Sequence, residues 1–245
     1  MLKCLGKTER MFVMYKKCIY NNKAVAYVEN PWVFKTDADK EKIFEITFDS
    51  AETYTQGSIE AVVEKYNCAE TDYALKVYAT IGNINFMVDR IKAKQPINVY
   101  SYYCFENESR GISINIPDKS KLVVRNGANG FKFFRMKNDV DGNDMLPFGC
   151  LQLPEGVASN GIDMKMNFYD GMRKEGLDHT KVFCICAGDS ATVRGWHMKN
   201  TEDGGFLAEP KDKANNYVLY TEGDTVTIKG LNSGEVLVID LKKYM

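Results

Sequence analysis

The feature that most constrains this chain is an alternation of apolar and polar residues with a period of two, repeated along most of its 245 residues. Side chains on a β-strand point alternately to opposite faces of a sheet, so this pattern is typical of strands with one buried face. The alternation is clear on both sides of the turn-forming pair Gly82-Asn83, which predicts a hairpin. The pairs Asn126-Gly127 and Asn129-Gly130 separate further alternating segments, so we expect an antiparallel meander in the middle of the chain.

Other segments also fit strands, and one fits a helix. The additional predicted strands cover residues 23–28, 42–48, 99–105, 162–169, 181–187, 191–199, 217–221, 225–229 and 235–241. Residues 57–67 differ, because Ser58 precedes Ile59, Val62, Val63 and Tyr66 at helical spacing. We therefore predict one short helix there.

These patterns predict an all-β fold, either a two-layer antiparallel sandwich or a jelly-roll-like body, with that one helix near 57–67. Residues 1–13 fit no element and are expected to form a flexible N-terminal extension. The β-rich body then covers residues 14–245. Residues 138–160 are rich in Gly, Pro, Asn and Asp, and they are either a long loop or a connector between parts at 14–137 and 161–245.

The charge balance narrows the choice of partners. Lys and Arg total 32 against 33 Asp and Glu, a formal net charge of −1, so we expect neither nucleic acid nor a membrane surface as a partner. No secretory leader and no apolar run long enough to span a bilayer is present, which predicts synthesis in a cytoplasm. The seven cysteines are expected to be reduced and mostly buried.

The sharpest candidate site consists of His179, Cys184, Cys186 and His197. Two thiolates and two imidazoles satisfy the tetrahedral coordination of zinc, and residues two apart on a strand share a face. The same thiols next to His197 would also be the residues of an enzyme of unknown chemistry. The competing interpretation is that these cysteines are buried strand residues, because structural zinc sites generally use a tighter C-x2-C turn.

An acidic run resembles the opening of an oxygen-rich calcium loop. Its candidate ligands are Asp139, Asp141, Asn143 and Asp144. The EF-hand is rejected because its sixth position is Asp144 instead of glycine and its twelfth is Cys150 instead of glutamate. An irregular calcium site remains open beside a solvated turn.

Three aromatic residues are candidate binding platforms for a sugar ring or a protein partner: Trp196, Trp32 and Tyr102. The alternative interpretation places them in the core. The deciding property for Trp196 is whether its ring faces solvent.

No phosphate-binding glycine loop or nucleophile elbow occurs, and no cofactor is expected. We therefore expect a non-enzymatic structural or assembly protein that acts through protein partners or self-association, for example as a virus or phage particle component. A carbohydrate- or protein-binding sandwich module is the alternative, and an enzyme built on the histidine and cysteine set is the second alternative.

Overall fold

The structure of the chain is a computed structural model. It describes residues 17–20, 23–28, 33–35, 46–95, 98–106, 112–118, 120–126, 129–136, 144–145, 149–150, 165–173, 178–211, 213 and 215–245.

The described residues form twenty strands, one α-helix and a 3₁₀ turn. The strands are β1 Lys17–Tyr20, β2 Lys23–Val28, β3 Val33–Lys35, β4 Thr47–Gln56, β5 Ile59–Asn67, β6 Thr71–Ile81, β7 Ile84–Ala93, β8 Asn98–Glu106, β9 Ile112–Asp118, β10 Lys121–Asn126, β11 Asn129–Arg135, β12 Asp144–Met145, β13 Gly149–Cys150, β14 Lys165–Arg173, β15 Asp178–Asp189, β16 Trp196–Asn200, β17 Phe206–Pro210, β18 Tyr217–Glu222, β19 Thr225–Gly230 and β20 Val236–Asp240. The helix α1 covers Ser190–Gly195, and the 3₁₀ turn covers Leu241–Tyr244.

The strands form three antiparallel sheets. The first sheet has the order β1-β2-β8-β14-β12, with β3 paired to β8 and β13 paired to β14. The central sheet has the order β4-β5-β6-β7-β15-β11-β10-β9, and the C-terminal sheet has the order β16-β17-β18-β19-β20. Most neighbours in these sheets are also neighbours in sequence, so the topology is mainly that of meanders.

The central and C-terminal sheets pack face to face around one hydrophobic core. The core combines residues of β5, β6, β7 and β15 with residues of all five C-terminal strands. Phe86 of β7 and Phe206 of β17 meet edge to face across it, with ring centroids 6.3 Å apart. The first sheet also contacts the central sheet, through β1 with β15 and β2 with β11.

The helix predicted at 57–67 is wrong, because these residues form strand β5. Ile59, Ala61 and Val63 enter the shared core, while Val62 and Tyr66 are buried on the other face. A strand buried on both faces has apolar residues at nearly every position, and such a run also contains the spacing of a helix.

Other sequence predictions are confirmed. The hairpin around Gly82 joins β6 to β7, and Gly82 has the positive φ of 57° that its turn requires. The meander of β9, β10 and β11 is present, although residues 191–199 are not one strand, since α1 occupies 190–195 and β16 follows it.

The predicted all-β antiparallel sandwich is therefore confirmed. The extension at 1–13 lies outside the described residues, as does most of 138–160, so the division of the body stays a prediction. Among the residues that the structure describes, no helix has the length and apolar character needed to cross a bilayer.

Candidate functional site

Four charged side chains form a row across the middle of the central sheet. The strand registers place Glu64 opposite Lys76, Lys76 opposite Asp89, and Asp89 opposite Lys181. The signs of the charges alternate along these four neighbouring strands, so the row as a whole is neutral. We call these four residues the charge row.

The charge row lies on the face of the central sheet that points away from the C-terminal sheet. Strand neighbours of the row point the other way, into the shared core: Val63, Val77, Val88 and Val182. All four charged residues are at most 5% exposed. Charged groups are rarely buried to this degree unless they are paired, so their pairing is the main electrostatic feature of this face.

Asp89 is the centre of the charge row. Its Oδ1 lies 2.5 Å from Lys76 Nζ, and its Oδ2 lies 3.5 Å from Lys181 Nζ. Burial lowers the pKa of Lys76, while the charge of Asp89 acts in the opposite direction. One carboxylate therefore stabilises two buried ammonium groups.

Aromatic rings complete the surroundings of the charge row. Lys76 Nζ lies 5.6 Å from the centroid of Phe183, and Lys181 Nζ lies 5.3 Å from the same ring. Tyr66 donates a hydrogen bond from its hydroxyl to Glu64 Oε2. Burial, followed by the charge of Glu64, raises the pKa of Tyr66, so this hydroxyl keeps its proton at neutral pH.

A cleft of about 450 Å³ opens beside Tyr66, where β5 turns into β6. Its other lining residues are Thr47, Lys65, Asn67, Cys68, Ala69, Thr71, Asp72 and Tyr73. Burial raises the pKa of the Cys68 thiol, which disfavours the thiolate that nucleophilic chemistry needs. The cleft offers an aromatic wall and polar hydrogen-bonding groups.

The predicted zinc ligands do not converge. Cys184 and Cys186 point into the shared core, while His179, an odd number of residues away on the same strand, points to the opposite face of the sheet. His197 is exposed on the outer face of the C-terminal sheet. Within the described ranges, no three His, Cys, Asp or Glu side chains lie close enough together to hold an ion.

The aromatic and calcium candidates are only partly described. Trp196 is 7% exposed and belongs to the shared core, so its ring is not a free platform. Tyr102 lies in β8, in register with Tyr169. Outside the described residues lie Trp32 and three candidate calcium ligands, Asp139, Asp141 and Asn143. The fourth, Asp144, belongs to β12, and its backbone is in register with Arg173 of β14.

The charge row was missed from sequence because an isolated lysine in an alternating strand normally marks a solvated face. A signal was nevertheless present. Lys76 lies between Ala74 and Tyr78 on the face that it shares with them, and neither of these two residues is charged. These uncharged neighbours distinguish Lys76 from a lysine on a solvated face, which other polar residues normally flank.

A second candidate site is the exposed apolar end of the chain. Five large hydrophobic side chains are exposed among the described residues, and four of them belong to residues 231–245: Leu231, Val236, Val238 and Met245. Val236 and Val238 point outward from β20, and Val238 is 57% exposed. We call these four residues the apolar end.

Side-chain hydrogen bonds attach β20 and the following 3₁₀ turn to the central sheet. Before β20, Glu235 accepts hydrogen bonds from the backbone N–H of Ser58 at 2.9 Å and from its hydroxyl at 2.7 Å. After it, Glu52 accepts a hydrogen bond of 2.7 Å from Tyr244 and pairs with Lys243 at 2.9 Å. We call these contacts the seam, because they join the edges of the two packed sheets.

The edges of these two sheets differ in how they are protected against pairing with another chain. Among the described residues, β4 has a bulge after Phe48, β9 contains Pro117, and β16 contacts α1 and carries Lys199. Bulges, prolines, lysines and covering helices all discourage strand addition. Strand β20 runs in regular register with β19 and has no charged residue from Val236 to Ile239.

The fold and its core place this chain among the antiparallel β-sandwich proteins. No protein-family model matches its sequence, and no curated protein matches it. A solved structure of a heparinase III with methylated lysines aligns with a TM-score of 0.52 at 10% identity, over 91% of this chain and 35% of that one. The heparan sulfate lyase HepC from Pedobacter heparinus aligns with a TM-score of 0.48 at 11% identity, over 85% of this chain and 30% of that one.

This chain therefore spans about a third of the length of the structures that it resembles. At 10% identity, the likeness to heparinase III shows a common fold and nothing further.

Proposed function

We propose that this chain is a β-sandwich module that acts through protein–protein contacts, and that its contact site is the edge strand β20. The occupant of this site is an extended strand of a partner protein, added alongside β20. The observation that carries the proposal is the unprotected edge of β20, in contrast to the protected edges at β4, β9 and β16.

The backbone of β20 supports strand addition. Gly230 donates to the carbonyl of Glu235, and Leu241 donates to the carbonyl of Asp224, which identifies the hydrogen-bonded pairs of the β19–β20 ladder. These pairs alternate in an antiparallel ladder, so Leu237 and Ile239 direct their N–H and C=O groups toward β19. Val236 and Val238 then direct their N–H and C=O groups away from β19 in the plane of the sheet, where an added strand can bind them.

The apolar end and the seam support the same site. A strand added beside β20 would cover the side chains of Val236 and Val238 on the outer face of the sheet, which are 45% and 57% exposed. The seam holds both ends of β20 against the central sheet, so the edge is already ordered before a partner binds. Use of such contacts in a virus or phage particle stays a prediction.

The proposal is tested with a fluorescent synthetic peptide of residues 235–241 and the full chain, measured by fluorescence anisotropy. Saturable binding is expected, and it should be lost when Val238 in the chain is replaced by proline, which removes one outward N–H. A folded chain that gives no saturable signal at peptide concentrations of about 1 mM would contradict the proposal.

The cleft beside Tyr66 favours a second candidate function, carbohydrate binding. Tyr73 is a half-buried aromatic residue beside Asn67 and Asp72, and sugars commonly contact such a ring together with carboxylate and amide groups. Titration calorimetry with heparan sulfate oligosaccharides and with a neutral oligosaccharide tests it. Heat that saturates with either ligand and is lost in Tyr73→Ala would support this function, and no heat with both would oppose it.

The enzyme alternative is not proposed for the histidine and cysteine set, because its members point to different faces of two sheets.

A further inference from the structure

We infer that the strand added at β20 belongs to a second copy of this chain, so that two C-terminal sheets join into one continuous ten-stranded antiparallel sheet. This inference rests on the proposed function and names its partner. It follows from three properties of the edge: its hydrogen-bond geometry, the character of its side chains and the positions of its charges.

The hydrogen-bond geometry is self-complementary. A two-fold axis at Leu237 sets Val236 of the first copy opposite Val238 of the second, and Val238 of the first copy opposite Val236 of the second. Both residues direct their N–H and C=O groups outward, so each of these two pairs exchanges two hydrogen bonds. The dimer thus gains four backbone hydrogen bonds while the β19–β20 ladder within each copy stays intact.

The side chains match in the same register. On the outer face, the exposed valines of one copy lie against the exposed valines of the other. On the inner face, Leu237 lies opposite Leu237 of the second copy at the axis. Cross-strand pairs of β-branched and aliphatic residues are favourable in antiparallel sheets, and the valine pairs cover apolar surface that is exposed in the single chain, whereas Leu237 is already buried there.

The nearest like charges across this contact lie on opposite faces of the sheet: Asp240 of one copy shares the outer face with the valines, whereas Glu235 of the other copy binds Ser58 on the inner side. Asp240 of one copy lies about 20 Å from Asp240 of the other in this register, from a rise of about 3.4 Å per residue. The formal net charge of the chain is −1, so long-range repulsion between two copies is small. The edge strand of the central sheet on the same side, β4, has a bulge at Phe48 and Ser50, which directs pairing to β20.

Sedimentation velocity of the full chain from about 1 to 200 µM tests this inference. We expect a species of twice the 27.8 kDa chain mass whose share rises with concentration. Val238→Pro removes two of the four intermolecular hydrogen bonds but none within the chain, and it should weaken association at least tenfold. The matched control Val238→Thr keeps the N–H and the branched shape, and its association should stay close to that of the unchanged chain.

Val238→Lys is a second variant, because a lysine at this exposed position preserves folding and discourages edge pairing. It should also shift the chain to the monomer. A dimer that both variants leave unchanged would overturn the inference, since the contact would lie elsewhere. A chain that stays monomeric at every concentration but binds the peptide of residues 235–241 would overturn the second copy as partner and leave strand addition standing, whereas failure of both would refute the proposed function.

Discussion

The charge row makes a sharp prediction about which of its members matters most. Asp89 pairs with two ammonium groups, at 2.5 and 3.5 Å, whereas Lys76 has its ion pair with Asp89. With an effective dielectric constant of about 20, these two attractions are roughly 7 and 5 kcal/mol before the opposing cost of desolvation, which is several kcal/mol per buried ion. Asp89→Asn loses both attractions, and Lys76→Met loses the first together with a smaller attraction between Lys76 and Glu64.

We therefore expect Asp89→Asn to lower the free energy of unfolding by about 3–5 kcal/mol, the usual cost of leaving a buried charge without its partner. Lys76→Met should cost less than Asp89→Asn, because Asp89 keeps Lys181, the lost attraction to Glu64 is smaller than that to Asp89, and the methionine fills the space of the lysine stem. Urea unfolding at neutral pH, followed by circular dichroism, measures both values, provided that the m-values agree. Lys92→Met is the control. Lys92 lies on β7, three residues after Asp89, and is exposed, so its replacement should change stability by less than about 0.5 kcal/mol. A Lys76→Met variant at least as destabilised as Asp89→Asn would refute this account of the charge row.

The seam, two turns and the helix cap give three further predictions. The hydrogen bond from Lys243 holds the pKa of Glu52 below its ordinary value. The stability that Glu52 contributes is therefore present above about pH 4 and is lost as the pH falls through the folded-state pKa. Amide exchange in residues 241–244 should rise in that acidic range, and Glu52→Gln should remove the pH dependence. Gly57→Ala should destabilise more than Gly82→Ala, which costs about 1–2 kcal/mol for its left-handed backbone, because only at Gly57 would the new Cβ meet the carboxylate of the seam; equal melting temperatures of the two variants would contradict this. Asp189 accepts from the backbone N–H of the second and third residues after it, at 2.9 and 2.8 Å, so Asp189→Ala should cost about 0.5–2 kcal/mol in urea unfolding.

The strands that are easiest to predict from the sequence are those in which side-chain alternation is bounded by clear turn residues. Strand β2 was predicted with its observed bounds, and the hairpin at Gly82 was predicted with its turn. In both cases, local side-chain alternation and turn chemistry agree with the tertiary structure. Prediction failed at β5, where both faces are buried and Ile59, Val62 and Tyr66 satisfy the helical spacing as well as the strand.

The candidate sites were harder to predict than the fold, because they depend on which strands become neighbours. Cys184 and Cys186 share a face, as expected from their spacing, but nothing in the sequence shows that this face would be the dry interior between two sheets. The charge row likewise joins Asp89 to Lys181 by a pairing between distant segments. Local patterns report the face on which a residue lies, and they do not report what covers that face.

The position of β15 in the central sheet has a consequence for synthesis on the ribosome. Strands β4 to β7 are contiguous in sequence and can pair as soon as they emerge, but their next neighbour, β15, is made only after about 90 further residues. During that interval the edge of β7 has no partner in the central sheet, and Asp89 has not yet met Lys181. The nascent chain therefore carries a half-built sheet with an open side, and this interval is the stage at which a chaperone would have the most to protect.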